Sequence, residues 1–339
     1  MTTAMTESTT APSVRAAGPT LRALAWVTWR QHRTAFIGLT AVFVFCGLLL
    51  LQNGLKMHTD FRRLGLADCL PGHQDPACPA GIDAFHHDQD LVTRLTAAFF
   101  TLPVLFGMFL GAPLTAREFE SGTYRFAFTQ GVGRTRWLAT KISLVVAFTL
   151  VSACGFAAVV IWWYGPLVAP RGRLAASSLT YEIYGTVFVG RALFALALGI
   201  FAGALVRRVV PAIAVTLTGW IAVFLVTFVS LRSHFLTPLT AVDTMAPGNN
   251  PWVIAEQWTA PGGRVLSHAE AFTLQSKSAA AGHTQDLRTY LAQQGYSYRA
   301  AYFPESRFWT FQTIETSGLV VLSLMLLTAT VWLVRRRAA

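Results

Sequence analysis

Residues 34–55 read TAFIGLTAVFVFCGLLLLQNGL, 22 positions without a charged side chain between Arg33 and Lys56. A bilayer core of ~30 Å needs roughly 20 apolar residues at a helical rise of 1.5 Å each. In lipid each backbone N–H must be satisfied within its own segment, so the run reads as a membrane-crossing helix. Outward along the chain the same pattern recurs. Uncharged runs of 22, 29, 23 and 19 residues follow Arg94, Lys141, Arg208 and Glu315, and 24 residues after Glu182 contain a single charge, Arg191. The spans are placed at 34–53, 94–114, 142–164, 183–206, 210–231 and 315–334. The 339 residues are 53% hydrophobic and 13% charged, with mean hydropathy +0.47. Soluble domains carry about 25% charge, so a water-soluble enzyme is excluded.

Orientation follows from the basic residues. Six spans put both termini on one side. That side, comprising the N-terminus, the 115–141 segment, Arg207–Arg208 and the C-terminal tail, holds 14 Lys+Arg against 3 Asp+Glu. The other side holds 12 against 13, with Glu182 and Glu315 at its edge. The positive-inside rule makes the first side cytoplasmic. It also accounts for the net charge of +11 without a nucleic-acid surface. The expected fold is an all-α polytopic membrane protein, N- and C-termini cytoplasmic, with a small α+β extracytoplasmic cap between helices five and six.

Residues 1–19 are rich in Ser, Thr, Ala and Pro and read as a disordered cytoplasmic tail. Residues 20–33, TLRALAWVTWRQHR, suit an interfacial helix with Arg22, Arg30 and Arg33 toward phosphates. An external loop covers 54–93, the cap 232–314, and the sixth helix with its basic tail 315–339. In the cap, Trp252–Thr259 and Arg264–Leu266 flank a Pro261-Gly262-Gly263 turn as a short hairpin. Ser267-His268-Ala269-Glu270 is a capping box opening a helix to about Ala281. A second helix covers Thr284 to Gln294, stopped by Gly295. Residues 296–311, YSYRAAYFPESRFWTF, suit an aromatic belt lying on the membrane.

No phosphate loop, HExxH, GxSxG or CxxC occurs, and no catalytic residue is assigned. His73, His86, His87, Asp75, Asp83, Asp88 and Asp90 share the first external loop, but their spacing matches no ligand motif, so no metal site is expected. Cys69 and Cys78 in DCLPGHQDPAC lie on the oxidising side, with Pro and Gly turns between them, and are expected to form a disulfide. Gly107 and Gly111 in span two, and Ala195, Gly199 and Gly203 in span four, have the small-xxx-small spacing that lets helices approach closely. Arg191 is a lone intramembrane charge. It either lines a pathway, or snorkels toward the interface or pairs structurally with Glu315.

The segment 114–141, LTAREFESGTYRFAFTQGVGRTRWLATK, carries two of the three acids on the cytoplasmic side, Glu118 and Glu120. They call for a basic partner surface or an internal pairing with Arg117 and Arg125. The run AREFESGTYRFAFTQGVGRTRWLATK resembles the segment between spans two and three of actinobacterial ABC-2 type permeases. Trp29-Arg30-Gln31-His32-Arg33, ALGIFAGALVRRVVPAIAVTL (residues 197–217) and Pro304 to Glu315 resemble the same family, in order along the chain. The resemblance implies a permease subunit of an ABC exporter, itself not an enzyme, in the bacterial cell membrane. It would pair with two copies of an ABC ATPase and a second permease, as homodimer or heterodimer. It would bind no cofactor itself, ATP and Mg residing on the ATPase. By the same resemblance Arg117, Glu118, Glu120, Gly122 and Thr123 belong to the coupling segment that touches the ATPase. The alternatives are a membrane sensor, an assembly or immunity factor, or a membrane-embedded enzyme.

Overall fold

The computed structural model describes residues 21–69, 78–121, 134–171, 178–243, 251–282 and 287–337. Among them six helices are long and apolar enough to cross a membrane: Trp26–Arg63, Ala98–Ser121, Trp137–Pro170, Thr186–Val206, Val209–His234 and Glu305–Arg336. The expected tail at 1–19 lies outside the described residues. Helix α1 runs unbroken from Leu21 to Arg63. The interfacial helix expected at 20–33 is thus the first part of the spanning helix. No proline interrupts the sequence there, and a single Gly38 costs too little to break a helix. Gly65, at φ 67°, ends it on the left-handed backbone that glycine adopts without strain. Cys69 and Cys78 are disulfide-bonded, Cα–Cα 5.6 Å, and α2 (Cys78–Ala97) starts at the second of them. Much of the expected external loop is therefore helical.

The second span is composite. A 3-10 turn (Ala98–Thr101) leads to α3 (Leu102–Phe106), a wide π turn (Gly107–Gly111) and α4 (Ala112–Ser121). Then follow α5 (Arg134–Arg171), α6 (Thr186–Val206), α7 (Val209–Leu225) and α10 (Phe308–Arg337). A second π turn, Val226–Leu231, extends α7 toward Arg232. Helix α6 is the hub, with fourteen of its 21 residues buried. Lipid offers no hydrophobic drive for helices to associate, so close packing of small side chains must hold them. Gly107, Gly111, Gly199 and Gly203 lie where the second span crosses α6. A Cβ on Gly111 would stand 2.6 Å from the Leu196 carbonyl oxygen. Cβ atoms on Gly107, Gly199 and Gly203 would strike the Ala195, Gly107 and Ala112 carbonyl oxygens.

Between α7 and α10 the cap holds β1 (Leu239–Val242), β2 (Trp252–Thr259), α8 (His268–Ala280), α9 (Leu287–Gln293) and β3 (Ser297–Phe303). The strands form an antiparallel sheet in the order β1-β3-β2. Here the structure corrects one expectation. The first half of the aromatic stretch 296–311 is the central strand, and its last four residues open α10, so it is not a membrane-surface belt. Tyr298, Ala300 and Tyr302 alternate into the sheet's buried face, a period of two that marks a strand. The sixth span accordingly starts near Phe308, seven residues before the expected Glu315. Phe311 joins cap to bundle, its ring 5.0 Å from Phe303 and 5.7 Å from Trp252.

Candidate functional site

At the end of the bundle carrying Arg117 and Arg207, three helices meet through side chains. The Lys141 ammonium of α5 donates to the Glu118 carboxylate of α4, and to the Gln31 amide oxygen of α1 at 2.9 Å. It also stands 4.2 Å from the centre of the Trp137 ring. The Lys141 and Glu118 side chains are only 3% and 12% exposed, so the two charges depend on each other. Sequence reading offered Arg117 and Arg125 as internal partners for the acids; Glu118 pairs with Lys141 instead. Glu120 accepts from the Val209 backbone N–H at 3.2 Å, one of the orphan donors that open α7, where negative charge is favoured. Arg117 is exposed. Arg125, Gly122 and Thr123 lie outside the described residues.

Beside this node runs a cleft of about 710 Å³ between α1, the second span and α7. Ala35, Leu39, Val42, Leu105, Phe109 and Ile213 form its apolar wall, and Gln31, His32 and Arg117 its polar end. A second cavity of about 260 Å³ shares Gln31, His32 and Arg117 and reaches Glu118. His32 is buried at 5% exposure.

At the opposite end, under the cap, lies a buried ionic quartet. Arg191 donates to Glu182, and to Glu315 at 2.6 Å. Arg232 donates to Glu182, and through Nε to Glu315 at 3.0 Å. All four side chains are at most 1% exposed. Two cations and two anions cancel, and each carboxylate accepts from both guanidiniums. This is the geometry a buried ion network requires if its desolvation is to be offset. Arg191 also lies 5.1 Å from the Phe224 ring, and Arg232 4.3 Å from the Tyr181 ring. Burial, first of all, pushes the Tyr181 phenol well above its ordinary value. Next to the quartet, Gln312 accepts from the Val187 N–H at 2.9 Å and donates to the Tyr181 and Tyr184 carbonyls. It thereby caps α6. Its Oε1 lies 2.8 Å from where a Cβ on Gly185 would be, and Gly185 has φ 108°. Both facts restrict that position to glycine.

Sequence reading singled out Arg191 and raised Glu315 as its partner, but left Arg232 and Glu182 as mere ends of spans. One signal was there to use: three adjacent spans end in charges on the side that holds the lone intramembrane arginine. Asp83, His87 and Asp88 on α2 are exposed, and no three His, Cys, Asp or Glu side chains converge among the described residues.

The chain matches the family described as ABC-2 membrane transporter related over residues 39–232, more than half its length. The match runs from within α1 to Arg232 and so takes in the second span, the Lys141–Glu118 pair and the α6 hub. Neither a curated protein nor a solved structure matches it. With six membrane-length helices and that match, the chain belongs to the ABC-2 membrane transporter related family and is a multi-pass membrane permease of the ABC-2 type.

Proposed function

We propose that the chain is the permease subunit of an ABC exporter, forming the transmembrane pathway and borrowing ATP energy from a separate ATPase. The observation that carries this reading is the Lys141–Glu118 pair. It clasps the ends of α4 and α5, the stems between which residues 122–133 are strung. A segment that must receive a push from a partner needs stems of fixed separation. In this reading the Arg117 and Arg207 end faces the bacterial cytoplasm. Arg117, Glu120, Gly122 and Thr123 lie on or beside the docking segment, while Glu118 holds it from within. Two ATPase copies carry ATP and Mg, and a second permease, the same chain or a homologue, completes the transporter. Closure of the ATPase dimer on ATP would shift the population of permease states through these stems. Arg191 acts in the outer closure of the bundle, as part of the quartet.

The test is co-expression with any ABC-type ATPase that a neighbouring gene encodes. The complex should co-purify and hydrolyse ATP, and Glu120→Lys with Arg117→Glu should weaken capture. Failure of every neighbouring ATPase to bind, with the permease folded, would overturn the reading.

A further inference from the structure

We propose that the outer end of the fifth span is a gate, with the buried quartet as its latch and the π turn Val226–Leu231 as its hinge. Tightening of that turn to an α turn withdraws Arg232 and parts this end from α6 and α10. The proposal rests on the permease reading for what the opening serves, release of cargo on the outer side; the two windings of the helix do not depend on it.

Three observations converge. The first is the winding. The Arg232 N–H donates to the Thr227 carbonyl, five residues back, so the turn holds one residue more than an α turn. Its sequence, VTFVSL, contains no Pro or Gly to force this. Wide turns of this kind are rare and gather at functional sites. Below the turn the helix is anchored, with the Phe224 ring stacked 4.9 Å from Phe100. Within it Val226, Val229 and Leu231 are exposed, so little packing opposes a rotation. At its root the Thr227 hydroxyl donates to the Val223 carbonyl at 2.6 Å and competes with the α ladder. The second observation is what the extra residue places. An α turn over the same residues would carry Arg232 about 100° further round and about 1.5 Å along the axis. Leu231 would then stand where Arg232 now meets Glu182 and Glu315. Latch and winding are therefore one choice: closed with the π turn, open with the α turn. The third is an unpaired atom. The Tyr181 hydroxyl is buried and has no hydrogen-bond partner among the described residues, and its ring lies 4.3 Å from the Arg232 guanidinium. A buried hydroxyl without a partner is costly, so the closed state carries a penalty that water relieves when the end parts.

The experiment is hydrogen–deuterium exchange on the full chain in nanodiscs. It follows the amides of residues 179–184 and 226–235, with the other spans as internal standard. In the unaltered chain the two segments should exchange together, as one opening unit. Glu182→Gln with Arg232→Gln removes half of the latch and leaves Arg191 and Glu315 balanced. Exchange in both segments should then rise roughly tenfold or more. Deletion of Val229, or of Val226 if the first expresses poorly, removes the extra residue and seats Arg232 on a plain α turn. Both segments should slow by a similar factor, with the thermal midpoint unchanged or raised. Independent exchange of the two segments, or exchange indifferent to the double change, overturns the latch. Exchange indifferent to the deletion, or unfolding by both deletions, overturns the hinge. In the complex with an ABC ATPase, a non-hydrolysable ATP analogue should quicken exchange in both segments of the unaltered chain and not in the deletion variant. An analogue that binds and moves neither segment overturns the gate's part in export. If the variants behave as stated and no ATPase binds, the permease reading falls and the gate stands. If the ATPase binds and hydrolyses ATP while the variants leave exchange unchanged, only the gate falls.

Discussion

Arg232 shows how much one side chain can hold in this molecule. It joins the end of the fifth span to Glu182 before α6 and to Glu315 in α10. Arg232→Leu would leave two buried carboxylates facing only Arg191. Breaking such a network costs about 3–5 kcal/mol, a large share of the roughly 5–15 kcal/mol that stabilises a typical domain. The expected result is loss of monodisperse protein in detergent, with a sharply lower thermal midpoint. Removing Arg191 and Glu315 together, as leucines, leaves no net charge behind and should cost less than either single change. If the double variant is as unstable as the singles added together, the quartet does not act as a unit. Glu118→Lys would likewise set two ammonium groups side by side at the opposite end and destabilise by several kcal/mol. The exchange Glu118→Lys with Lys141→Glu should recover most of the loss, read by the same thermal assay.

Among elements, the crossing of the second span with α6 is the tightest contact. Gly111→Leu or Gly203→Leu would push α4 off the hub, and overpacking of this kind costs typically 1–3 kcal/mol or more. The expected outcome is a large fall in folded yield, against little change for Gly155→Leu, where a Cβ meets nothing within 4 Å. In the cap, α8 is held by a reciprocal box. The Ser267 side chain accepts from the Glu270 N–H, and Glu270 accepts from the Ser267 N–H at 2.8 Å. The Ser267 backbone N–H first, and Arg264 second, hold the Glu270 carboxyl down to about 2. Because the folded value lies below the unfolded one, this contribution is present above the ordinary carboxylate range of ~4.3 and fades as pH falls toward 2. A carbon-detected NMR titration should place the Glu270 midpoint near 2. A midpoint at the ordinary value would mean that the box is open. Ser267→Ala should raise the midpoint and cost the cap of α8 ~1 kcal/mol.

On the scale of the whole molecule, the disulfide reports on sidedness. Cys69 and Cys78 are bonded under the cap end, while Cys46 and Cys154 are free within the spans. Alkylation of denatured, unreduced protein should find two reactive thiols and, after reduction, four. Finding four at the outset would place the cap end in a reducing compartment and reverse the assigned orientation. A loop this short stabilises by roughly 2–3 kcal/mol on the chain-entropy model, so reduction should lower the thermal midpoint measurably.

The sequence by itself determined that this chain crosses a membrane six times, because spans are written in composition: a missing charge over 20 residues has one cheap meaning in lipid. It determined the capping box at Ser267 and Glu270, and the close-packing glycines at 107, 111, 199 and 203, because caps and small-residue spacings are local. It pointed to the family through residues 116–141, whose middle, 122–133, lies outside the described structure. Only the tertiary structure decided which charges meet. Arg191, Arg232, Glu182 and Glu315 come from four separate places along the chain, and no spacing rule relates them. Lys141 reads as an ordinary basic flank until α1, α4 and α5 bring Gln31, Glu118 and Lys141 together. The aromatic stretch 296–311 was ambiguous for a related reason. Alternating Tyr and Ala fit a membrane surface or a strand equally well, and pairing with β1 and β2 selected the strand. Burial and partnership are properties of distant segments held at one point, and the bundle packed around α6 creates that point.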